Sequence, residues 1–600
     1  MATLCPLSPL LPLLLFVAVV LASAVRLAAA DGASAPGGGP ATLPSPWGFT
    51  SSAEWFGEYP RFNPLMAKAG ARFLRAFPEW STLEPRKGER SWGAADALVA
   101  NASATGIELC GGFWYFAPWA TPKGDTRSCP LKDIGDWSAY VGATIERYKK
   151  DIHVWEVYNE FNGSFSTSID KPKDYADLVA AAYAAVKRAD PSARVGMSCA
   201  NFDLGFFDGA IKAGAAGKFD FLCVHPYENL GSLPGGGEDG FLSMAGSMRK
   251  LLADNHQRPD IGLWITEFGL QSPVAPERAA DALQAEVLVK GYLLALAQGF
   301  ERVCWFEARG PSYGHGTDFG VIRQDWSLRP SYQALCTMIA LLGPAPLYRG
   351  WLDLAQGGYG FVFQGPAGAV LAAWSSKGPA RTLTFPAAVT ITDLAGVASP
   401  LPAGQALALS AAPLYVTGVP DALLAQAQAN AGKPFPWGGD YATVAEVSCQ
   451  LAATNREHGI SQLNPQTTVA VNLLDHTLRR SNRAGGGEGI YAYFRVDPLF
   501  ASFGTSALEI TVVARRAGDQ AAGLDVCYES LKGYRATGKA WQLAPGEEWQ
   551  EHRWTVDNAN FVGGWGWNFR TDIGGSPGDV YIKEVRVRKL STATAPPAGK

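Results

Sequence analysis

The sequence predicts an α/β protein: a (β/α)8 TIM barrel, then a small β side domain, then a C-terminal β-sandwich. Three observations lead there. Short apolar runs recur between Trp47 and Gly343, bounded by polar or glycine-rich loops and alternating with alanine-rich stretches of helical period. After Gly343 the helical period gives way to brief β-like runs. Glycine (67) and proline (40) are over-represented in the 600 residues, which implies many turns.

The barrel strands are expected at Trp47–Thr50, Arg72–Phe77, Ile107–Phe113, Ile152–Glu160, Arg194–Ser198, Phe219–His225, Gly262–Glu267 and Arg302–Glu307, within a catalytic domain spanning 46–344. The stretch Tyr175–Arg188 supplies one intervening helix, alanine-rich with apolar residues at helical spacing. A doubly wound open sheet is the alternative, but no G-x-G-x-x-G or GxxxxGK[ST] loop follows an early strand. Residues 345–418 form the side domain, with strands at Gly360–Gln364, Ala369–Ser375 and Leu414–Gly418 and a turn at Gly365-Pro366-Ala367-Gly368. Residues 419–439, rich in Ala and Gln and then Pro and Gly, read as a linker. Residues 440–590, with strand-like segments such as Ala507–Arg515 and Val580–Arg588, read as the β-sandwich, and 591–600 as a disordered tail.

Apolar residues make up 47% and charged residues 18%, with a formal charge of −4, which excludes a disordered chain and a polycationic surface. Nucleic acid is not an expected partner. Leu7–Ala24 is nearly all apolar, and Ala28-Ala29-Ala30 before Asp31 is a small-residue cleavage site, so residues 1–30 read as a secretory signal peptide and the protein as secreted. No Lys or Arg precedes the apolar run, which keeps a retained anchor as the alternative. No comparable stretch follows, so no membrane association is expected after removal of the signal. Removing Cys5 leaves eight cysteines. Cys223 and Cys304 sit in apolar runs and read as buried thiols, whereas Cys110 with Cys129, or Cys449 with Cys527, are candidate bridges. No short CxxC or HxxxH spacing occurs and the seven histidines are scattered, so neither a metal nor a cofactor is expected.

Two strands close on a carboxylate: His153-Val154-Trp155-Glu156-Val157-Tyr158-Asn159-Glu160 and Leu263-Trp264-Ile265-Thr266-Glu267-Phe268-Gly269. Catalytic groups of such barrels lie at the C-terminal strand ends, so Glu160 and Glu267 are the candidate catalytic pair. Two facing carboxylates are what glycosidic cleavage requires, one to protonate the departing oxygen and one to attack or to direct water. Arg75 interrupts an apolar strand, and a buried guanidinium needs an anionic partner.

The Asn-Glu ending strand four and the Thr-Glu-Phe-Gly ending strand seven resemble clan A of the retaining glycoside hydrolases. The segment Phe73-Leu74-Arg75-Ala76-Phe77-Pro78-Glu79-Trp80 continuing to Trp92, His225-Pro226-Tyr227, Trp305, and Gly320–Leu335 are similar to that clan and closest in style to family 39. The likeness spans roughly residues 46–418. It implies that Glu160 is the general acid/base, that Glu267 is the nucleophile of a covalent intermediate, and that Asn159 binds the sugar's 2-hydroxyl. It further implies that Arg75 pairs with Glu267, that a carbohydrate is the substrate, and that no cofactor takes part. Tyr227 is then expected to hydrogen-bond Glu267, and Trp305 to offer a flat face to the sugar ring.

Blander readings stand beside these. Glu156, four residues deeper than Glu160, reads as a buried structural carboxylate, and Glu307 as a third carboxylate ranked below the pair. His225 reads either as a substrate contact or as a satisfied interior histidine. Trp114, Tyr115, Phe116 and Trp119 either stack on sugar or cover the barrel. Trp541, Trp549, Trp554 and the Gly563-Gly564-Trp565-Gly566-Trp567 segment are either a carbohydrate platform or sandwich core. Asn101 and Asn162 begin glycosylation sequons. A catalytically silent carbohydrate-binding barrel and an inverting hydrolase are the rival functions.

Overall fold

The structure is a computed structural model that describes residues 45–590, except 51–56, 311–315, 355–356, 377–380, 438–440, 464–466, 474–475, 482–489, 505, 517, 547 and 575. The signal peptide expected over 1–30, Cys5 and the tail 591–600 lie outside the described residues. Among these residues no helix is long and apolar enough to cross a membrane.

Eight parallel strands close into a barrel in sequential order: β1 (Trp47–Thr50), β2 (Phe73–Arg75), β3 (Glu108–Phe113), β4 (Val154–Val157), β5 (Arg194–Ala200), β6 (Phe221–His225), β7 (Gly262–Phe268) and β8 (Arg302–Phe306). β1 pairs with β8 to complete the ring. Three of the helices around them start where a carboxylate satisfies free backbone N–H groups. Asp133 caps Ile134–Tyr148, Asp170 caps Lys171–Ala189, and Glu277 caps Arg278–Ala297. β4 stops at Val157, short of the expected Glu160, because Tyr158 and Glu160 both take positive φ (62° and 49°) and turn the chain out of the sheet.

Side chains alternate across each strand, so the inward set can be counted. Phe73, Cys110, Val154, Phe221, Cys223, Trp264 and Cys304 form one buried cluster. Two residues further on come Arg75 on β2, Glu156 on β4, His225 on β6 and Thr266 on β7. The barrel is therefore apolar below and polar at its C-terminal mouth. All eight cysteines from Cys110 to Cys527 are free thiols, so neither Cys110 with Cys129 nor Cys449 with Cys527 is bridged. Cys110 instead fills the apolar layer with Cys223 and Cys304.

The side domain is a six-stranded sheet in the order Leu347–Trp351, Gly358–Gly365, Gly368–Ser375, Leu414–Thr417, Val389–Thr392, Ala398–Leu401. The segment expected as a linker is packed. Its helix Asp421–Asn430 lies so close to the sheet that a Cβ on Gly350 would stand 1.8 Å from the Ala427 carbonyl oxygen. Asn430 Nδ2 donates to the Trp351 carbonyl (3.2 Å), and Trp437 Nε1 to that of Gly358 (2.6 Å). Of its small residues Ala427 is buried in this contact, while Ala422, Ala425, Ala429 and Ala431 face outward. The C-terminal strands are antiparallel and enclose a core that includes Phe494, Ile510, Val512, Trp554 and Phe569. Arg495 ties this domain to the barrel through Asp239 (2.6 Å), and buried Glu238 accepts from Trp374 Nε1 of the side domain (3.1 Å).

At the barrel mouth, the ribbon Ser272–Pro273 with Thr317–Asp318 is fixed by Arg329, which is almost wholly buried. It donates to Asp281 (2.8 Å), Asp318 (2.9 Å) and the Pro273 carbonyl (2.9 Å). Arg329→Met leaves Asp318 without that cation, and is expected to cost about 3–5 kcal/mol in urea denaturation. A midpoint within error of wild type would contradict the role given to this arginine.

Candidate active site

Arg75 is the hub of the polar mouth. Its Nε and Nη2 donate to the two oxygens of Glu156 (3.0 and 2.5 Å), its Nη1 to Glu267 Oε1 (2.6 Å), and Nη2 also to Asn159 Oδ1 (2.9 Å). The guanidinium lies 4.5 Å from the Trp114 ring centroid. Burial alone would raise the Glu156 carboxyl, but the charge and hydrogen bonds of Arg75 outweigh it and hold the group below its ordinary 4.5. Glu156 is thus a fully buried partner of Arg75, and Arg75 meets Glu267 as well.

The remaining polar groups converge on the two candidate catalytic glutamates. Glu267 Oε2 accepts from the Tyr227 hydroxyl (3.1 Å), so each of its oxygens has a donor. His225 Nδ1 lies 2.8 Å from Glu160 Oε1 and 3.7 Å from Glu267 Oε2, while Nε2 lies 3.1 Å from Thr266 Oγ1. Burial opposes a charged imidazole, yet the Glu267 charge and the Glu160 hydrogen bond move His225 above its usual 6.5. Glu160 and Glu267 stay partly open, with 17% and 12% of their side chains exposed. Left-handed backbone at Tyr115, Glu160 and Asn201 (φ 48°, 49° and 57°) concentrates strain around this one opening.

These groups face a cleft of about 790 Å³ lined by Arg75, Asn159, Glu160, Tyr227 and Glu267, with Trp114, Tyr115, Phe165, Phe306 and Phe319 as its aromatic walls. Trp305 is absent from that wall. It is fully buried, donates its indole N–H to the Phe319 carbonyl (3.0 Å) and packs on Phe268. The reason is parity: Cys304 points into the barrel, so its neighbour points out to the helices. Glu307 is likewise fully buried and off the cleft. Of the aromatic group after β3, Trp114 and Tyr115 line the cleft, Phe116 is core, and Trp119 packs on Trp80. Trp114 lies over Gly112, where a Cβ would come within 1.8 Å of the indole. Asn162 has its amide bound to Ala200 and Asp203.

Asn201 and Glu228 also line the cleft and went unrecognised in the sequence. Their position just after β5 and β6 is the signal that points to them. Burial, then the charge of Glu160, pushes the Glu228 carboxyl up to about 7. One oxygen of Glu160, one of Glu267 and a nitrogen of His225 lie within 4.8 Å of one another, a donor set of metal-ligand type. Arg75 already holds a cation against Glu267, and a divalent ion would be repelled by it.

Fold and site define a TIM barrel with convergent glutamates at its C-terminal mouth. No family model matches the chain. It is similar to an endo-1,4-beta-xylanase 3 of Hypocrea jecorina, 29% identical over 210 residues, 32% of this chain and 55% of the relative. The chain thus spans about half the length of the curated relatives it matches. Among solved structures it resembles a family 39 glycoside hydrolase from the gut symbiont Bacteroides cellulosilyticus WH2, with a TM-score of 0.52 and 21% identity over 62% of this chain and 81% of that one. A monomeric beta-xylosidase from Caulobacter crescentus CB15 has a TM-score of 0.45 and 15% identity over 63% and 97%. The family 39 likeness shows the shared fold.

Glu156→Gln removes one of the two anions on a buried guanidinium, with an expected cost of about 3 kcal/mol at pH 7. Because the folded carboxyl titrates below 4.5, the stabilisation is present above that pH and fades as pH falls through the lowered value. Denaturant melts should show the gap between variant and wild type narrowing below pH 4.5. A gap independent of pH would contradict the ion pair.

Proposed function

We propose that the protein is a retaining glycoside hydrolase. The observation that carries this reading is the approach of one oxygen of Glu160 to one of Glu267, within 4.8 Å, with His225 Nδ1 next to both. Retention uses carboxyl groups about 5–5.5 Å apart, whereas inversion needs roughly 6.5–9.5 Å to seat a water between them.

Glu267, oriented by Arg75 and Tyr227, attacks the anomeric carbon while Glu160 gives its proton to the departing oxygen, so the C–O bond breaks as the glycosyl–enzyme ester forms. Glu160 then takes a proton from water, whose oxygen attacks the same carbon and frees Glu267. His225, bonded to Glu160 and Thr266, sets the direction of the acid/base. Asn159, fixed by Arg75 through Oδ1, gives one amide N–H to the Tyr115 hydroxyl (3.4 Å) and keeps the other for the 2-hydroxyl of the sugar. The chemistry is complete without a cofactor. The substrate is a carbohydrate, and the name of the xylanase relative puts β-xylosides and xylo-oligosaccharides first in the panel. Secretion follows from the signal read over residues 1–30.

Glu267→Gly should lose hydrolysis of aryl glycosides by a factor of about 10³ or more while still folding, with a circular dichroism spectrum like that of wild type. Added azide should give a glycosyl azide of inverted configuration, identified by NMR. Wild-type turnover in this variant would reject Glu267 as nucleophile, and no turnover by the unaltered protein on the whole panel would reject the hydrolase.

A further inference from the structure

The C-terminal domain sends one loop against two residues of the cleft wall, Asn201 and Glu228. The segment Gly563-Gly564-Trp565-Gly566-Trp567 is anchored from below by Glu529, which accepts the backbone N–H groups of Val562 (2.9 Å), Gly563 (2.8 Å) and Gly564 (2.7 Å) and the Asn568 amide (2.9 Å). Tyr534 Oη accepts from the Trp565 N–H (2.9 Å) and donates to the Trp567 carbonyl (2.6 Å). The loop rests directly on the barrel. Asn229 Nδ2 donates to the Gly563 carbonyl (3.4 Å), and a Cβ on Gly566, whose φ is +80°, would stand 3.4 Å from the Glu228 backbone oxygen. The left-handed backbone is what favours a residue without a Cβ at this position.

On this support Trp565 is 54% exposed, the exposed tryptophan among the described residues, while Trp567 beneath the same loop is buried. One indole face stacks on Tyr534 (4.7 Å, 21°). The edge is pinned: with the Asn201 amide in the orientation that satisfies both its ends, Oδ1 accepts from Trp565 Nε1 (3.0 Å) and Nδ2 donates to the two Glu228 oxygens (3.1 and 3.2 Å). Asn201 and Glu228 line the cleft that holds Glu160 and Glu267. A flat ring fixed at its edge and backed on one side, with polar hydrogen-bonding groups beside it, matches a pyranose ring, which has apolar faces and a hydroxyl rim.

Which sugar sits there follows from the proposed hydrolase reading, on which this inference rests. Glu160 is the group that protonates the departing oxygen, and Asn201 and Glu228 follow the next two strands after it. We propose that Trp565 of the C-terminal domain is the stacking wall of the leaving-group subsite, with Asn201 and Glu228 bonding the hydroxyls of the departing sugar. The C-terminal domain is then part of the active-site cleft, and specificity for the leaving sugar is set by residues from both domains.

The test compares two substrates of the sugar that the panel identifies: its disaccharide or trisaccharide, and its glycosyl fluoride of the same anomer, whose leaving group has no ring. For Trp565→Ala the ratio of kcat/KM on the oligosaccharide to kcat/KM on the fluoride should fall about tenfold or more, and Trp565→Phe should recover most of it. An unchanged ratio, whether both activities fall together or neither does, overturns the subsite, and so does a phenylalanine variant as poor as alanine. If wild type hydrolyses neither substrate, the hydrolase reading fails separately. Calorimetric titration with xylotriose, from the first class in the panel, then decides the platform: weaker binding by Trp565→Ala supports it, and equal or absent binding in both proteins overturns it.

Discussion

A single guanidinium holds the mouth of this barrel together. Arg75 serves Glu156, Glu267 and Asn159 at once, from strands two, four and seven and the turn after strand four. None of these groups could be buried alone, because a carboxylate stripped of water and counter-charge is far too costly. The ring of strands supplies the meeting point, and the shared cation makes a polar layer tolerable on top of an apolar one. Tyr227 then gives Glu267 its second donor, and His225 bonds the partly open Glu160. The geometry at the opening is therefore set by a charge balance one layer below it.

Much of this was legible in the sequence. The eight strands show through their apolar runs, and Arg75 announces itself as a charge where the period demands a hydrophobe. The carboxylates closing strands four and seven follow from their place at strand ends. What escaped follows from physics that composition does not carry. Trp305 was assigned to the cleft from resemblance, although its step from Cys304 turns it outward. The region 419–439 has the small residues of a flexible connector, but Ala427, Asn430 and Trp437 within it hold it to the side-domain sheet. Cysteine pairing depends on distances between strands that no spacing encodes. Glu160 leaves the strand through a left-handed backbone that a non-glycine residue rarely adopts, and only tertiary context reveals it.

The three folded parts are joined by specific polar contacts rather than by a flexible tether. Asp239 with Arg495, Glu238 with Trp374, and the glycine-rich loop against Glu228 all bridge elements distant in the chain. Gly563 and Gly566 at this contact take positive φ (71° and 80°), which a residue without a Cβ adopts most readily. The C-terminal domain's tryptophans divide between core and junction. Trp554 fills the core, while Trp565 is held out at the junction.

The seam between β1 and β8 has a consequence for how the chain folds as it is made. Val303 N–H bonds to the Pro46 carbonyl, and Arg302 reaches Ser45 across 257 positions of sequence. During synthesis the first strand must wait with an unpaired edge until the eighth has emerged from the ribosome. Such an edge is a template for wrong partners. Four residues long and wholly buried in the finished protein, β1 presents little of that template, and its brevity protects the nascent chain for as long as the ring stays open.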